Sequence, residues 1–418
     1  MLTASSKIFL VKLKWFLWKQ LSSVWDFILL LFNFPVSYND DLKQKEKKVI
    51  VYLGELLPPR ISRMAKWVKR SSDFATVLVC SKQGFFEKFS DPNFDSVFLF
   101  RNAFHLKRIV KQIPNIHLIH AFAPKSFYPD IIRRAFKHKF IADYQDVYGI
   151  YYGLNPSLRW LKKELPYEKA CLEHADGIVA HSLEPNVALR KYDIKKKPKT
   201  IFFPLYCDDD SFCENKKNIS PENIHIVYAG GVAGSHRNPR QYGNIQFHWL
   251  IEKLSSQKIH FHIYPSPSNF PADYEEYKFI EKQNMFFHFH NPIAQNKLAM
   301  ELSKYHFGIL PFFRGDSQQG ENKYKFATTL KLFNYIEAGI PVLVSKDIIY
   351  QSWIVERYKA GIILSSKKDI DNLKEIILKM EYKKLSDDLK ENRNKISLSR
   401  NIPRLIKFYD RIRQTTIS

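Results

Sequence analysis

The sequence predicts an α/β protein with two doubly wound, Rossmann-like parallel-sheet domains that face each other across a cleft. Short apolar runs typical of buried strands alternate with helical patterns, which indicates parallel sheets covered on both faces. The alternation restarts after a polar, turn-rich stretch at 208–222, which indicates a second domain. The length of 418 residues fits two or three domains of the usual size.

Composition narrows the class of protein. Hydrophobic residues make up 45% and charged residues 26%, which excludes disordered, collagen-like and coiled-coil proteins. The 4 cysteines form no C-x-x-C pair, so neither a zinc ribbon nor a disulfide framework is predicted and a reducing cytoplasm fits best. The net charge of +23 indicates a polyanionic partner, such as nucleic acid, an anionic membrane or a phosphorylated ligand.

Residues 1–36 form a separate segment. Lys12, Lys19 and Asp26 interrupt its apolar run, whereas a spanning helix needs about 20 nearly uncharged residues. These charges share one helical face, which is typical of a helix lying in a membrane interface. We predict an amphipathic membrane-associating helix and a linker at 37–47; packing on the protein's own body or another subunit, or a true span, are the alternatives. The apolar face carries Leu17, Trp18, Leu21, Val24, Trp25, Ile28, Leu29 and Phe32.

The first α/β half is predicted over 48–207. Its expected strands are 49–53, 74–80, 95–100, 116–122, 139–146 and 176–182. Its expected helices are 62–71, 103–112, 127–137 and 156–175.

The second half is predicted over 223–385, after an interdomain linker at 208–222. Helices over 386–418 are expected to pack back on the first domain. Ligands in such sheets bind beyond the carboxyl ends of the strands, so the interdomain cleft is the predicted active site. The expected strands are 224–231, 258–264, 285–291, 307–312, 341–345 and 360–365. The expected helices are 244–256, 295–304, 329–338 and 368–380.

The segment ATTLKLFNYIEAGIPVLVS (327–345) has the most specific pattern. A helix here places Lys331 and Asn334 on adjacent turns, Gly339 ends it, and a strand begins at Pro341. Taken alone, this is an ordinary helix–strand unit. It resembles the donor-site helix of GT-B glycosyltransferases of the family 4 (group 1) type, which commonly reads K-L-F-E-Y-x-x-x-G-x-P-V.

The resemblance covers most of residues 48–380. It implies the GT-B fold, with 48–207 as the acceptor domain and 223–385 as the donor domain. It also implies a hexosyltransferase that moves a sugar from a nucleotide-diphosphate sugar to an acceptor hydroxyl. It also implies retention of the anomeric configuration, with no metal or other cofactor. The sequence departs from the family at its two glutamates, which are replaced by Phe326 and Asn334. The other matching segments are LGELLPPRISRMAKWV (53–68), FIADYQDVYG (140–149), EKACLEHADGIVAHS (168–182), FPLYCDDDSF (203–212), YAGGVAG (228–234) and SKYHFGILPF (303–312).

The resemblance implies a donor site around the glycine turn at the start of the second domain. Cations or backbone N–H groups must offset the charge of the departing diphosphate. Arg237 and Lys331 are the predicted pair of cations for this role, and both are also counted as catalytic. The full set of predicted donor-binding residues is Gly230, Gly231, Arg237, Arg240, Asn322, Lys331, Leu332, Asn334 and Glu337.

On the acceptor side, Asp143, Asp146 and His120 follow or end strands of the first sheet. A carboxylate at this edge could orient or deprotonate an acceptor hydroxyl, so these three residues are predicted to be catalytic. Arg60, at the start of the first helix, is a further candidate for phosphate or acceptor. The D-x-D pattern at 208–210 is interpreted as part of the linker.

Four histidines alternate with phenylalanine in two strands of the second half. The alternation puts each pair on one sheet face, but the other ligands of a zinc site are missing, so no metal site is predicted. The residues are His260, His262, His288 and His290.

We therefore predict a glycosyltransferase of bacterial-type cell-envelope polysaccharide or glycolipid assembly. It would be cytoplasmic and peripheral on the inner face of the cell membrane. Its expected partners are a nucleotide sugar, a glycan or lipid-linked glycan acceptor and an anionic membrane surface, but not nucleic acid. The alternatives are a catalytically silent GT-B subunit that scaffolds a protein partner, and a GT-B nucleotide-sugar epimerase.

Overall fold

The computed structural model describes residues 20–32, 46–81, 91–122, 125–144, 146–214, 217–267, 269, 271–316 and 325–414. It confirms the predicted fold class, because these residues form two parallel sheets with helices packed on them. The first sheet contains β1 (Val49–Gly54), β2 (Ala75–Ser81), β3 (Ser96–Phe100), β4 (Ile116–Phe122), β5 (Phe140–Asp143), β6 (Gly177–Ala180) and β7 (Lys199–Phe202). The second contains β8 (His225–Gly230), β9 (His260–Pro265), β10 (Phe287–Phe289), β11 (Phe307–Leu310), β12 (Val342–Ser345) and β13 (Gly361–Leu364).

The helices lie on both faces of these sheets. Around the first sheet they are α1 (20–31), α2 (Pro59–Ser71), α3 (Ala103–Gln112), α4 (Phe127–Ala135), α5 (Tyr148–Tyr151), α6 (Arg159–His174) and α7 (Glu184–Lys191). Around the second they are α8 (Pro239–Tyr242), α9 (His248–Ser256), α10 (Pro271–Gln283), α11 (Gln295–Leu302), α12 (Leu330–Glu337), α13 (Ile349–Arg357), α14 (Lys368–Asp371) and α15 (Leu373–Leu378). The chain continues into α16 (Tyr382–Arg393) and α17 (Leu398–Gln414).

Both sheets change strand order at an inner position. The first runs β3-β2-β1-β4-β5-β6-β7 and the second β10-β9-β8-β11-β12-β13, with parallel pairing throughout. Strands β1 and β4, and likewise β8 and β11, are therefore neighbours although they are not consecutive. Ligands of open parallel sheets bind at the carboxyl ends of such strands. The carboxyl ends of β1 and β8 thus mark where a site is expected.

The inner strands are apolar on both faces because both faces are covered. In β1, Ile50 and Tyr52 pack in the core that α2 shares, whereas Val49, Val51 and Leu53 point into the core under α3. Such burial explains why these strands appear as continuous apolar runs in the sequence.

Several elements differ from the sequence-based expectation. Strand β5 ends at Asp143, and the chain turns into α5 instead of continuing to 146. The periodicity does not predict β7, α7, α10 or α13. Strand β7 begins with exposed Lys199 and Thr200, and α10 buries only Asp273 and Tyr277, so neither has a clear apolar pattern.

Helix α17 returns from the second domain to the first and packs against α2. Its Tyr409 hydroxyl lies 2.7 Å from Nδ1 of His120 on β4 and 3.4 Å from the hydroxyl of Tyr52 on β1. All three side chains are fully buried. The first domain therefore contains a buried polar contact that a much later part of the chain completes.

The acidic linker binds to α2 rather than lining a metal site. The Lys66 ammonium donates to Asp208 over 2.7 Å, and the Trp67 indole N–H donates to the same carboxylate over 2.9 Å. Arg70 pairs with Asp210 over 2.6 Å. These contacts are those of a linker fastened to the first domain.

A ladder of histidines crosses one face of the second sheet. Nδ1 of His225 lies 2.8 Å from Nε2 of His262, whose Nδ1 lies 3.0 Å from Nε2 of His290. His260 and His288 form a parallel pair at 3.0 Å. Burial, followed by the neighbouring imidazoles, lowers the pKa of His225 to about 4. In the described part of the chain, no group of three or more His, Cys, Asp or Glu side chains has the geometry to hold a metal ion.

Helix α1 turns its polar face inward. Asp26 is fully buried and accepts two hydrogen bonds of 2.6 Å from Arg101, together with contacts of 2.9 Å from Asn102 and 3.1 Å from Arg108. Helix α1 therefore packs on the protein's own body, which is one of the predicted alternatives, and it does so through its polar face. Among the described residues, no helix combines the length and apolarity needed to cross a bilayer. The apolar side chains exposed on α1 and just after it are Leu21, Val24, Trp25, Phe27, Ile28, Leu31 and Phe32.

Candidate functional site

A cavity of about 500 Å³ lies in the cleft where the carboxyl edges of the two sheets face each other, a volume typical of a small-molecule site. Asp146 and Tyr151 contribute the wall on the side of the first domain. Of the described lining residues, Asp146 and Lys331 carry charge, and they lie on opposite domains. The second domain contributes Ala229, Gly230, Gly231, Gln241, Asn244, Ile245, Tyr264, Pro265, Ser266, Pro267, Ile293, Gln295, Leu298, Phe312, Ala327, Thr328, Thr329, Leu330, Lys331, Asn334, Ile348 and Gln351.

The amino end of α12 opens onto this cavity. Thr329 caps the helix, with its hydroxyl oxygen accepting a 3.0 Å hydrogen bond from the backbone N–H of Lys331. Thr328 and Leu330 line the cavity beside it. The first N–H groups of a helix and its dipole favour a negatively charged ligand at this end.

Two glycines leave space for side chains of α12 at the sheet. Gly230 has φ +155, and a Cβ there would meet Cε of Lys331 at 2.0 Å. A Cβ at Gly308 on β11 would meet the ring of Tyr335 at 2.3 Å, and the hydroxyl of this tyrosine accepts a 3.0 Å hydrogen bond from Ala229 N–H. Gly230 and Gly308 therefore make room for the Lys331 and Tyr335 side chains of α12.

The Lys331 side chain crosses the end of β8 in the space that Gly230 leaves. Its ammonium lies 5.7 Å from the ring centroid of Tyr228 and 5.8 Å from that of Phe312. Contacts of a cation with aromatic faces at this distance are attractive. They hold the predicted phosphate-binding cation at the cavity wall.

Asn334, which replaces one of the two glutamates of the resembled family, also lines the cavity. Its side-chain oxygen accepts a 3.1 Å hydrogen bond from Nε2 of Gln295, at the start of α11. Gln295 has no counterpart among the predicted residues. The pair brings a polar edge to this wall, so the loss of the glutamate does not leave the position apolar.

The sequence does not predict two further polar groups in the cavity wall. The hydroxyl oxygen of Thr328 and the side-chain oxygen of Gln351 are buried and have no hydrogen-bond partner among the described residues. Both residues line the cavity. Buried polar atoms are normally paired, so these oxygens fit groups that a ligand would satisfy. Thr328 lies within the segment 327–345 but outside the family pattern, and Gln351 lies beyond it.

Glu337 and Leu332 do not line the cavity, and their donor contacts stay predictions. Leu332 is fully buried in the core. Glu337 accepts from Arg63 of α2 over 2.7 and 3.1 Å and from the backbone N–H of Asp208 over 2.8 Å. Burial raises the pKa of Glu337 to about 7, although Arg63 acts in the opposite direction. Glu337 therefore joins the domains.

Arg237 and Arg240 also lie outside the described cavity wall, and their donor-binding roles stay predictions. The Arg237 guanidinium is 3.3 Å from both carboxylate oxygens of Asp273, which also accepts from Gly234 N–H over 2.8 Å. This pairing holds the glycine turn in place. Arg240 is exposed on α8. Asn322 lies outside the described residues, and its predicted role stays a prediction.

Of the three predicted acceptor-side residues, Asp146 alone lines the cavity. Asp143 is buried, with both carboxylate oxygens on Arg60 Nη1 at 2.6 and 2.7 Å and one on His120 Nε2 at 2.9 Å. Burial raises the pKa of Asp143, but Arg60 and His120 outweigh it and hold that pKa at about 2. Asp143, His120 and Arg60 thus form a buried network beneath the cleft instead of facing it.

Residues 243–406 match the family described as glucosyltransferase 3-like, C-terminal domain. The match begins just after α8 and extends into α17, so it covers most of the second domain. No curated protein matches the chain by sequence.

Solved structures share the fold over most of the chain at low sequence identity. Sucrose-phosphate synthase from Thermosynechococcus elongatus has a TM-score of 0.63 and 12% identity, covering 88% of this chain and 99% of that one. Anabaena Alr3699/HepE in complex with UDP and glucose has a TM-score of 0.60 and 11% identity, covering 87% and 100%. The α,α-trehalose 6-phosphate synthase from Burkholderia multivorans has a TM-score of 0.58 and 10% identity, covering 88% of this chain and 99% of that one.

These likenesses agree with the two parallel-sheet domains and the cleft between them. The narrower family 4 assignment stays a prediction. The chain has the GT-B fold, and the prediction of a hexosyltransferase-type enzyme is confirmed.

Proposed function

We propose that the protein transfers a sugar, glucose in the first instance, from a UDP-sugar to an acceptor hydroxyl. The observation that carries this proposal is the placement of Lys331 beside the capped amino end of α12, across the space left by Gly230. A diphosphate is the ligand that fits a cation and a helix amino end together. The glucosyltransferase match of residues 243–406 supports the sugar, and the Anabaena structure solved with UDP and glucose supports the nucleotide.

The two sides of the cavity have separate roles in this transfer. The bond between the anomeric carbon and the diphosphate oxygen breaks, and a bond from the acceptor oxygen to that carbon forms. Lys331 and the N–H groups of α12 stabilise the charge that develops on the leaving diphosphate. Asp146 orients the acceptor hydroxyl from the opposite wall, and the hydroxyl proton passes to the departing phosphate oxygen. The sugar thus passes from the nucleotide bound to the second domain to the acceptor bound to the first.

We also propose that transfer retains the anomeric configuration and needs no divalent metal, as in the family that the sequence resembles. Lys331 supplies positive charge where a metal ion would otherwise act. Proton NMR of the first product formed gives the configuration, and assays with EDTA test the metal. An inverted product, or activity lost in EDTA and restored by Mg²⁺ or Mn²⁺, contradicts this part of the proposal.

Calorimetric titration with UDP-, GDP- and CMP-sugars tests the donor assignment. We expect UDP-glucose to bind and to release UDP slowly by hydrolysis when no acceptor is present. If none of these nucleotide sugars binds, the transferase proposal is rejected and the catalytically silent subunit takes its place. Conversion of the bound sugar into its epimer, without transfer, indicates the epimerase instead.

We propose further that the protein is peripheral on the inner face of the cell membrane and acts in cell-envelope glycan assembly. The support comes from α1, whose Asp26 fixes the polar face on the first domain while large apolar side chains point outward. Trp25 is 58% and Phe32 71% exposed. A net charge of +23 favours an anionic lipid surface over a neutral one.

Liposome sedimentation tests the membrane contact. Replacing Trp25 and Phe32 together with serine is expected to weaken binding to phosphatidylglycerol vesicles by roughly 10²–10⁴-fold, because each large apolar side chain contributes about 1.5–3 kcal/mol when buried. Serine at Phe279 and Met285, which are 61% and 76% exposed on the second domain, is the matched control. Equal binding by wild type and the Trp25/Phe32 variant shows that α1 does not carry the contact.

A further inference from the structure

Aromatic side chains form a platform at the acceptor side of the cavity. They are Tyr148, Tyr151, Tyr152 and Trp160, referred to below as the aromatic platform. Tyr151 lines the cavity itself, and its ring centroid lies 4.3 Å from that of Tyr152. The Trp160 centroid lies 5.4 Å from that of Tyr148 and 6.3 Å from that of Tyr152. The platform therefore continues from the cavity wall outward to Trp160.

The platform is accessible although it is aromatic. Trp160 is 44% exposed, and the three tyrosines are each partly exposed. The rings meet nearly edge to face, at 86° for Tyr151 with Tyr152 and 86° for Tyr148 with Trp160. Trp160, at the outer end of the platform, presents an exposed ring to a further molecule.

A buried carboxylate fixes the backbone that carries these rings. Glu168 of α6 is fully buried and accepts hydrogen bonds from Tyr148 N–H over 2.7 Å and Gly149 N–H over 2.9 Å, at the start of α5. The Tyr192 hydroxyl donates to the same carboxylate over 2.5 Å. A ligand that binds to a platform already held in place loses less free energy to ordering than one that must organise a loop.

We infer that the aromatic platform is the binding subsite for a saccharide on the acceptor, so that the acceptor of this enzyme is itself a sugar-bearing molecule. This inference rests on the proposed glycosyl transfer. The C–H face of a sugar ring packs against an aromatic ring, while its hydroxyls can reach the tyrosine hydroxyls and Asp146. Tyrosine and tryptophan provide such apolar contact with a polar edge at low entropic cost. A sugar on the platform extends toward the cavity through Tyr151, on the wall that Asp146 shares.

The test compares Trp160→Ala with wild type, using UDP-glucose as donor and methyl glycosides of glucose, galactose, N-acetylglucosamine and rhamnose as acceptors. We expect at least one glycoside to stimulate UDP release above hydrolysis. Trp160→Ala should raise the KM for that glycoside about tenfold, while the Kd for UDP-glucose and the rate of donor hydrolysis stay at the wild-type values. Trp160→Phe, which keeps a ring, should recover most of the loss.

A matched control is Trp353→Ala on α13, because this tryptophan is 46% exposed and lies outside the cavity wall. It should leave the acceptor KM unchanged. Octyl glycosides distinguish the two sources of such a sugar. A lower KM for the octyl than for the methyl glycoside indicates a lipid-linked saccharide, and an equal KM indicates a saccharide without a lipid.

The outcomes separate this inference from the proposed function. If UDP-glucose is bound and hydrolysed but no glycoside accelerates UDP release, or if Trp160→Ala has the wild-type acceptor KM, the saccharide subsite is rejected and the transferase stands. Acceleration by a serine- or threonine-containing peptide alone also rejects it. If no nucleotide sugar binds, the proposed function itself fails.

Discussion

Replacing Lys331 with alanine is expected to lower kcat/KM for the nucleotide sugar by roughly 10²–10³-fold, the usual cost of removing one group that stabilises charge in a transition state. Lys331 and Asp146 are the charged residues among the described ones that line the cavity, and Lys331 is the cation of the pair. Its loss leaves the amino end of α12 to stabilise the departing diphosphate alone. Initial rates of UDP release over a range of donor concentrations give the measurement.

Two variants make the Lys331 result specific. Lys304→Ala removes a lysine that is 61% exposed and paired with Glu301, and should leave the kinetics unchanged. Gly230→Ala should reproduce much of the Lys331→Ala defect, because the added Cβ would lie 2.0 Å from Cε of Lys331 and force the side chain away. Donor turnover by Lys331→Ala at the wild-type rate would refute the phosphate assignment.

Replacing Glu337 with alanine is expected to lower the free energy of unfolding by about 3–5 kcal/mol, the range for removing one partner of a buried ion pair. Arg63 has a side chain only 11% exposed, and it would be left without the carboxylate that accepts both of its hydrogen bonds. The backbone N–H of Asp208 would lose its acceptor at the same time. Urea denaturation at pH 8, above the pKa of about 7, measures the effect with the carboxylate ionised.

The control for Glu337 is Glu375→Ala, which removes an exposed pair with Lys379 and should not change the unfolding midpoint measurably. A double variant, Arg63→Met with Glu337→Leu, should recover much of the lost stability because it leaves no buried charge without a partner. If Glu337→Ala unfolds at the wild-type urea concentration, the contact between α2 and α12 does not hold the domains together.

The sequence predicts this site well where its residues lie in one local pattern. Lys331 and Asn334 belong to one helix, and Gly230 ends the strand beneath it, so strand and helix periodicity bring all three to the same sheet edge. The sequence does not predict Thr328, Gln295 or Gln351 as site residues, because nothing in their own segments shows which groups face them. Their importance arises from elements that are distant in the chain and meet only in the fold.

Direction of side chains is the other property that the sequence leaves undetermined. Asp143 ends a strand at the predicted edge, but its side chain turns to Arg60 instead of the cavity. Glu337 lies one turn from Asn334, but its carboxylate accepts a hydrogen bond from Arg63 of the first domain. The helical wheel of α1 separates its two faces correctly, yet only the partners of Asp26 show that the polar face packs inward.

The return of α17 to the first domain has a consequence for how the molecule is made. Tyr409 completes a buried contact with Tyr52 and His120, but the whole second domain lies between them in the chain. During translation, the first domain is synthesised first. Its Tyr52 and His120 side chains then lack their buried partner until the second domain and α17 have also been synthesised. The halves are therefore not separable modules, and a first domain expressed alone should require α17 supplied as a separate peptide to reach its native packing.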